Sequence, residues 1–274
     1  MFPKGIKPVM RTFVDRLNAN RRALILSTAI AMRLAFFGFA WSGTYASGEL
    51  RPSDAIGYDR IAINLVEANG FSRSETPPYG LDLNRTPLYP TFLAAVYWLF
   101  GHHPWIAILL QIGVGASICV LILRLERQIL GSYSTGASGW IMAVYPLSVV
   151  YDNTILTESL FTGLLVVTAI MFIRLTQTAR LKYALLCGGL CGLSTMCRPI
   201  ATYLVLFLTL FLCLSRPCRN RFTSWKRLIV VCLCLNLGFS AFVLPWVVRN
   251  LQVVGSARIS HIGGGSDIWL RPLS

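Results

Sequence analysis

Apolar runs of roughly 20 residues recur along this 274-residue chain and restrict the folds that it can adopt. An α-helix of about 20 residues crosses the ~30 Å hydrocarbon core of a bilayer, whereas the strands of an outer-membrane barrel are about ten residues long and alternate in polarity. No such alternation is visible. The pattern predicts an all-α, polytopic integral membrane protein, a helical bundle with about seven spans. The runs are Ala23 to Trp41, 105 to 124, 135 to 151, 155 to 173, 183 to 197, 199 to 215 and 228 to 248.

The composition agrees with a lipid environment. Hydrophobic residues make up 55% of the chain and charged residues only 13%, which is more apolar side chain than a soluble core of this size can bury. The net charge of +14 would suggest nucleic acid binding in a soluble protein. Here the Lys and Arg residues form short patches between apolar runs, where they orient helices, so no nucleic acid partner is expected.

The eight cysteines indicate neither a disulfide framework nor a zinc site, because they lack paired CxxC spacing and mostly fall within apolar runs. We expect no cofactor, and a divalent metal is not indicated. His102 and His103 are adjacent, and two rings on neighbouring residues cannot easily aim at one ion, so a solvated turn is favoured over a metal site.

The basic patches predict three regions. Residues 1–22 form a basic cytoplasmic N-terminus before an uncleaved signal anchor. Residues 23–248 form the membrane domain, including an outer loop at 42–104. Residues 249–274 form an outer-side tail. An eighth, shorter run, Leu88 to Phe100, is interpreted as an interfacial or re-entrant helix, because a full crossing would move the basic loops outside.

The outer loop contains a second predicted helix. Ala55, Tyr58, Ala62 and Leu65 have helical spacing, and Ser53 stands where it can cap the helix, with Asp54 in the first turn. An acid in a first turn is either a partner of the helix dipole or a functional group. On local pattern alone, both interpretations of Asp54 stay open.

Several short motifs follow one another in a recognisable order. They are Asp54-x-x-x-Tyr58, Arg85-Thr86-Pro87-Leu88-Tyr89-Pro90, Thr157-Glu158-Ser159-Leu160-Phe161, Cys197-Arg198-Pro199 and Pro245-Trp246-x-x-Arg249-Asn250. In this order they resemble the GT-C superfamily of membrane glycosyltransferases. The closest resemblance is to the branch with the protein O-mannosyltransferases and aminoarabinose transferases, which use polyprenyl-phosphate sugars. The resemblance covers roughly residues 20 to 265, and it implies that the tail at 249–274 is truncated relative to longer family members.

The resemblance implies roles for individual residues. Asp54 matches the family's catalytic base, although the second acid often found next to it is Ala55 here. Glu158 corresponds to an acid that faces the same cavity, and Tyr58 is assigned with it to positioning of the substrates. Arginine suits phosphate binding because its guanidinium forms two parallel hydrogen bonds. The candidates for the donor phosphate are Arg85, Arg198 and Arg249, and snorkelling at a helix end is the alternative for each.

These observations together predict an inverting glycosyltransferase. It would move a sugar from a polyprenyl-phosphate donor to a hydroxyl acceptor, a lipid, glycan or protein, on the outer face of the membrane. The expected location is a bacterial inner membrane, with the N-terminus inside and the C-terminus outside. The alternatives are a non-catalytic remnant or scaffold of that family and a transporter or flippase.

Overall fold

The computed structural model describes residues 6–40, 53–215, 222 and 224–260. In these ranges the chain is helical and has no strand beyond an isolated bridge between Ser72 and Leu81, which confirms the all-α class. The helices are α1 (Ile6–Ala40), α2 (Ser53–Val66), α3 (Leu88–Phe100), α4 (Pro104–Leu130), α5 (Ala137–Val144), α6 (Pro146–Asp152), α7 (Glu158–Thr178), α8 (Leu181–Cys197), α9 (Thr202–Leu214) and α10 (Trp225–Val254), with 3₁₀ turns at Gly131–Tyr133 and Pro199–Ala201. Expectations for residues 1–5, 41–52 and 216–221 and for the tail beyond Ser260 lie outside the described residues.

Four segments of the described chain are long and apolar enough to cross a membrane. They are Asn20–Ala40, Pro104–Tyr133, Glu158–Thr178 and Trp225–Val253. Leu88–Phe100, Leu181–Cys197 and Pro199–Leu214 are apolar but shorter. The prediction of a polytopic membrane protein is therefore confirmed, while the number of seven spans stays a prediction.

The apolar run 135 to 151 is not the single helix that its length suggested. It forms α5 and α6, which are separated at Tyr145, an extended residue followed by Pro146. Proline has no N–H and its ring clashes with the carbonyl four residues earlier, so a helix breaks there. Near the break, Nη1 of Arg33 donates to the carbonyl of Ala143 at 3.2 Å.

The chain divides into two compact units, and the first contains α1, α5, α6 and α4 from Ile108 onward. At its centre Arg33 is fully buried. Its Nε donates to Oδ2 of Asp152 at 2.6 Å, and its Nη2 donates to Ser148 at 2.9 Å. An ion pair with its hydrogen bonds satisfied can be accommodated in a low-dielectric interior, so we infer that Arg33 has a structural role and anchors α1.

The second unit contains α2, α3 and α7 to α10. Within its core, the backbones of α8 and α10 approach each other closely. A Cβ on Gly188 would lie only 1.8 Å from the carbonyl oxygen of Leu235. Gly192 faces the backbone of α10 in the same way, with a Cβ 2.8 Å from the Phe239 carbonyl. The spacing Gly188-x-x-x-Gly192 thus permits the close approach of the two helices.

The two helices predicted for the outer loop are both present and pack against each other. The apolar face of α2, with Ile61 and Ala62, is buried, as are Leu93 and Val96 of α3. The intervening segment folds back on α2, since Nδ2 of Asn64 donates to the carbonyls of Ser72 and Ser74 at 2.8 and 2.9 Å. Asp54 lies in the first turn of α2 as expected, whereas the side chain of Ser53 lies outside the described part, so its capping role stays a prediction.

Candidate functional site

The first turn of α2 holds an ion pair between two of the predicted site residues. Nη2 of Arg85 donates to Oδ1 of Asp54 at 3.0 Å, and the Asp54 side chain is 63% exposed whereas that of Arg85 is only 8% exposed. A buried cation therefore orients a carboxylate that stays accessible from solvent. A carboxylate that is accessible in this way can receive a proton from a hydroxyl group within hydrogen-bond distance.

Tyr58 lies one helical turn after Asp54 and contacts the same arginine. The Cζ of Arg85 lies 4.3 Å from the centre of the Tyr58 ring, a cation–π contact. The Tyr58 ring meets the ring of Tyr89 edge to face, with centroids 5.0 Å apart. Burial raises the pKa of Tyr58, and the nearby Arg85 only partly opposes this. Tyr58 therefore acts as a neutral platform that fixes the guanidinium.

Asp82 holds the backbone that carries Arg85, a contribution that the sequence reasoning missed. Its Oδ1 accepts the N–H groups of Asn84 and Arg85 at 3.0 and 2.8 Å, and its other oxygen pairs with Arg73. An aspartate that accepts backbone N–H groups two and three residues further on is a common turn device, so the segment Asp-x-Asn-Arg was a usable signal. Burial lowers the pKa of the Arg85 guanidinium, but hydrogen bonds to Asp54 and Tyr58 raise it, and the net pKa is raised. Arg85 is charged at any physiological pH.

A second ion pair joins two more predicted residues. Nη2 of Arg198 donates to Oε1 of Glu158 at 2.9 Å, with the arginine side chain 42% and the glutamate 21% exposed. Glu158 begins α7, and Arg198 is the extended residue between the end of α8 and Pro199. The guanidinium also lies 5.7 Å from the ring of Phe161. Arg198 is the more accessible of these two arginines.

A hydrogen bond links the two backbone segments that carry the ion pairs. Oγ1 of Thr86, which is the residue after Arg85, donates to the carbonyl of Cys197, the residue before Arg198, at 3.0 Å. Tyr89 lies between the pairs, and its pKa is raised well above the usual value, chiefly by burial, with smaller contributions from its neighbours Tyr58 and Glu158. The structure thus brings five of the six predicted residues together: Asp54, Tyr58, Arg85, Glu158 and Arg198.

Arg249 has a different environment. Its Cζ lies 4.8 Å from the Trp246 ring and 5.9 Å from the Phe71 ring, and its Nη1 donates to Oδ1 of Asn250 at 2.9 Å. Asn250 in turn donates to the carbonyl of Arg258. Among the described residues no contact joins Arg249 to either ion pair, so its assignment to the donor phosphate stays a prediction.

A partly buried polar cluster at the C-terminal end of α3 was also missed. Oδ1 of Asp59 accepts the Tyr97 hydroxyl at 2.5 Å and lies 3.0 Å from Nε2 of His102. His102 also makes a ring contact with Tyr97. Its side chain is 47% exposed, so the residue lies in a solvated turn, as expected, although it has an acidic partner. The usable signal was Asp59 itself, because it follows Ala55 by four residues on the apolar face of α2, where a buried acid requires partners. The described residues contain no group of three or more His, Cys, Asp or Glu side chains that could hold a metal ion.

Comparison with known proteins identifies the family. The family model described as dolichyl-phosphate-mannose-protein mannosyltransferase matches residues 84–246, more than half of the chain. The matched range includes Arg85, Thr86, Glu158 and Arg198, begins after Asp54 and ends just before Arg249. Comparison with individual curated proteins gave no match. The family model supports the resemblance to GT-C membrane glycosyltransferases and implies glycosyl transfer from a polyprenyl-phosphate sugar in a membrane. The chain belongs to the dolichyl-phosphate-mannose-protein mannosyltransferase family.

Proposed function

We propose that the protein transfers a sugar from a polyprenyl-phosphate donor to a hydroxyl acceptor on the outer face of the membrane, with inversion and with Asp54 as general base. The observation that carries the proposal is the pair Asp54–Arg85, an exposed carboxylate oriented by a buried cation, next to the second pair Glu158–Arg198. Family membership supports the class of donor, and these contacts support the roles assigned to the individual residues.

The proposed reaction is a single displacement at the anomeric carbon. The acceptor oxygen forms a bond to this carbon while the bond to the phosphate oxygen breaks, and that bond's electron pair goes to the phosphate. The acceptor proton passes to Asp54. Inversion requires the base and the leaving phosphate to lie on opposite sides of the anomeric carbon. Two separate ion pairs suit this requirement, since Asp54 belongs to one and Arg198 to the other.

The arginines are proposed to act on the leaving phosphate in different ways. Arg198, 42% exposed, is accessible enough to hydrogen-bond phosphate oxygens directly. Arg85, 8% exposed, contributes mainly its charge, which acts over a short distance in a partly desolvated site. Glu158 orients Arg198, and Arg85 orients Asp54. The ring of Tyr58 packs against the guanidinium of Arg85.

The outer location is supported by the α7–α8 hairpin. Glu158 begins α7 and Arg198 follows α8, so both lie at the end of the hairpin opposite the connection between the two helices. Arg174, Arg180 and Lys182 lie around that connection. Positive residues in short loops favour the cytoplasmic side, so the ion pair at the opposite end faces outward in the proposed topology.

The test is a transfer assay with the purified protein in proteoliposomes. Polyprenyl-phosphate mannose is the first donor, a membrane extract supplies acceptors, and release of polyprenyl phosphate is measured. Asp54→Asn should lower turnover by about 10² to 10⁴, the usual contribution of a general base, because the amide keeps the shape but cannot take the proton. Glu67→Gln, which neutralises an exposed acid directly after α2, is the matched control and should keep full activity.

Three outcomes of this assay would contradict the proposal. A wild-type protein that releases no polyprenyl phosphate with any acceptor extract would favour the scaffold, and net movement of intact donor across the membrane would favour a flippase. Retention of more than about a tenth of wild-type turnover in Asp54→Asn would remove Asp54 as the base.

A further inference from the structure

We propose that Thr86 is a positioning residue for the donor phosphate, and that its hydroxyl sets the separation of the two arginines. This inference rests on the proposed function for the identity of the ligand. Thr86 carries no charge and is buried, so the proposed role acts through its hydrogen bond to the Cys197 carbonyl.

The argument begins with the place of the hydrogen bond. Thr86 and Cys197 are 111 residues apart in the sequence, and each is a direct chain neighbour of an arginine in the site. The bond from Oγ1 of Thr86 to the Cys197 carbonyl is therefore a short link between the backbones that carry Arg85 and Arg198. A change in its length changes the distance between the two guanidinium groups.

Each end of this link also has local anchors, among them the Cys197 thiol, which donates to the Thr157 carbonyl at 3.7 Å. The Arg85 side is fixed by Asp82, whose carboxylate accepts the N–H groups of Asn84 and Arg85. On the Arg198 side the backbone leaves α8 in an extended conformation, and the N–H of Arg198 still bonds the Ser194 carbonyl at 2.8 Å. The Cys197 carbonyl belongs to the last turn of α8, where carbonyls lack partners within the helix. Thr86 supplies that partner.

Burial makes this bond specific. Thr86 is 5% exposed and Cys197 is 2% exposed, so water cannot readily replace a lost hydroxyl there. A valine at position 86 keeps the shape of the side chain but leaves the Cys197 carbonyl unsatisfied, and buried polar groups without partners are strongly disfavoured. We expect the Cys197–Arg198 backbone to move towards another donor, and Arg198 to move with it.

The chain offers a matched control for this substitution. Thr91, in the first turn of α3, also donates its hydroxyl to a backbone carbonyl, that of Pro87 at 2.7 Å, but it is exposed and the bond stays within its own helix. Thr91→Val therefore makes the same chemical change five residues further along the chain without altering the link. Thr86→Ser keeps the hydroxyl and serves as the conservative variant.

The experiment measures two quantities with the protein in nanodiscs. The first is the binding of farnesyl phosphate, monitored as the rise in melting temperature that the ligand causes, with farnesol as the blank. The second is the turnover of the donor. Thr86→Val should weaken farnesyl phosphate binding about tenfold and lower turnover at least as much, since misplacement of a positioned group by about 1 Å can cost up to 10²-fold. Thr86→Ser and Thr91→Val should stay within about threefold of wild type. In the background of Arg198→Ala, Thr86→Val should have almost no further effect on binding, because it acts through that arginine.

The outcomes separate this inference from the proposed function. Binding that depends on Thr86 in a protein without transferase activity would keep the inference and overturn the function. Transferase activity with Thr86→Val equal to Thr91→Val would overturn the inference and keep the function. An equal loss for Thr86→Val with and without Arg198, together with a lower melting temperature of the unliganded protein, would show a merely structural residue. A wild-type protein that farnesyl phosphate does not stabilise would overturn both.

Discussion

Gly57→Ala should impair the site without destabilising the fold, because the three heavy atoms nearest to the new methyl group all belong to the flexible end of the Arg85 side chain. An ideal Cβ at position 57 would lie 2.9 Å from Nη2, 3.0 Å from Nε and 3.2 Å from Cζ of that side chain. Favourable contacts of carbon with other heavy atoms lie at about 3.5 to 4.0 Å. The guanidinium must therefore move by roughly 0.5 Å or more.

That displacement has a large effect on Asp54 and a small one on folding. The Arg85–Asp54 hydrogen bond of 3.0 Å would lengthen to about 3.5 Å, past the normal range of 2.7 to 3.2 Å. Alanine is favoured over glycine within a helix by about 0.5 to 1 kcal/mol, and loss of the stacking on Tyr58 costs a similar amount. The free energy of unfolding should thus change by less than about 1 kcal/mol, while turnover should fall about tenfold.

The measurement combines the proteoliposome assay with a melting curve of the purified protein. Gly80→Ala is the control, because it lies in the same outer segment and a Cβ there would be 4.0 Å from the nearest heavy atom, Oγ of Ser74. It should leave both turnover and stability unchanged. Wild-type turnover in Gly57→Ala would refute the view that the guanidinium must stay in place, and a parallel loss of activity and stability would refute the separation of the two effects.

Two further substitutions test the second ion pair and the first unit. Arg198→Lys should lower transfer at least tenfold, since an ammonium group keeps the charge but loses the two-pronged geometry; full activity in the same assay would instead support a snorkelling arginine. Gly115→Ala should destabilise the protein by about 3 kcal/mol, the cost of breaking a buried ion pair, because its Cβ would lie 1.9 Å from Oδ2 of Asp152. Gly113→Ala, with open space around its Cβ, should melt within a few degrees of wild type, and equal melting temperatures for the two variants would contradict the assignment.

The helices were predictable where apolar length alone decides the structure. Leu88 to Phe100 was predicted with the bounds that α3 has, because a proline pair marks its beginning and a glycine its end. The run 135 to 151 was predicted as one helix because an apolar count does not register how a single proline redirects the backbone. Pro146 was visible in the sequence, but helices in membranes often continue through proline, so only the three-dimensional structure decides.

The site was predictable as a set of residue types but not as a set of pairs. Charged residues at the outer ends of predicted helices, together with the resemblance to GT-C glycosyltransferases, indicated Asp54, Arg85, Glu158 and Arg198, and the structure pairs them two by two. Nothing in a local pattern records which carboxylate meets which guanidinium, since the partners are 31 and 40 residues apart. The link from Thr86 was missed for the same reason: a threonine hydroxyl next to a proline has no periodicity that indicates a distant carbonyl.

The pairing of each arginine with a carboxylate has a consequence for the proposed reaction. Before transfer, the charge of Arg85 is balanced by Asp54, so the resting pair attracts the phosphodiester of the donor only weakly. When Asp54 takes the acceptor proton it becomes neutral, and the charge of Arg85 is then uncompensated. At that moment the leaving phosphate gains its second negative charge. The site thus becomes more positive as the phosphate becomes more negative, which stabilises the transition state more than the bound donor.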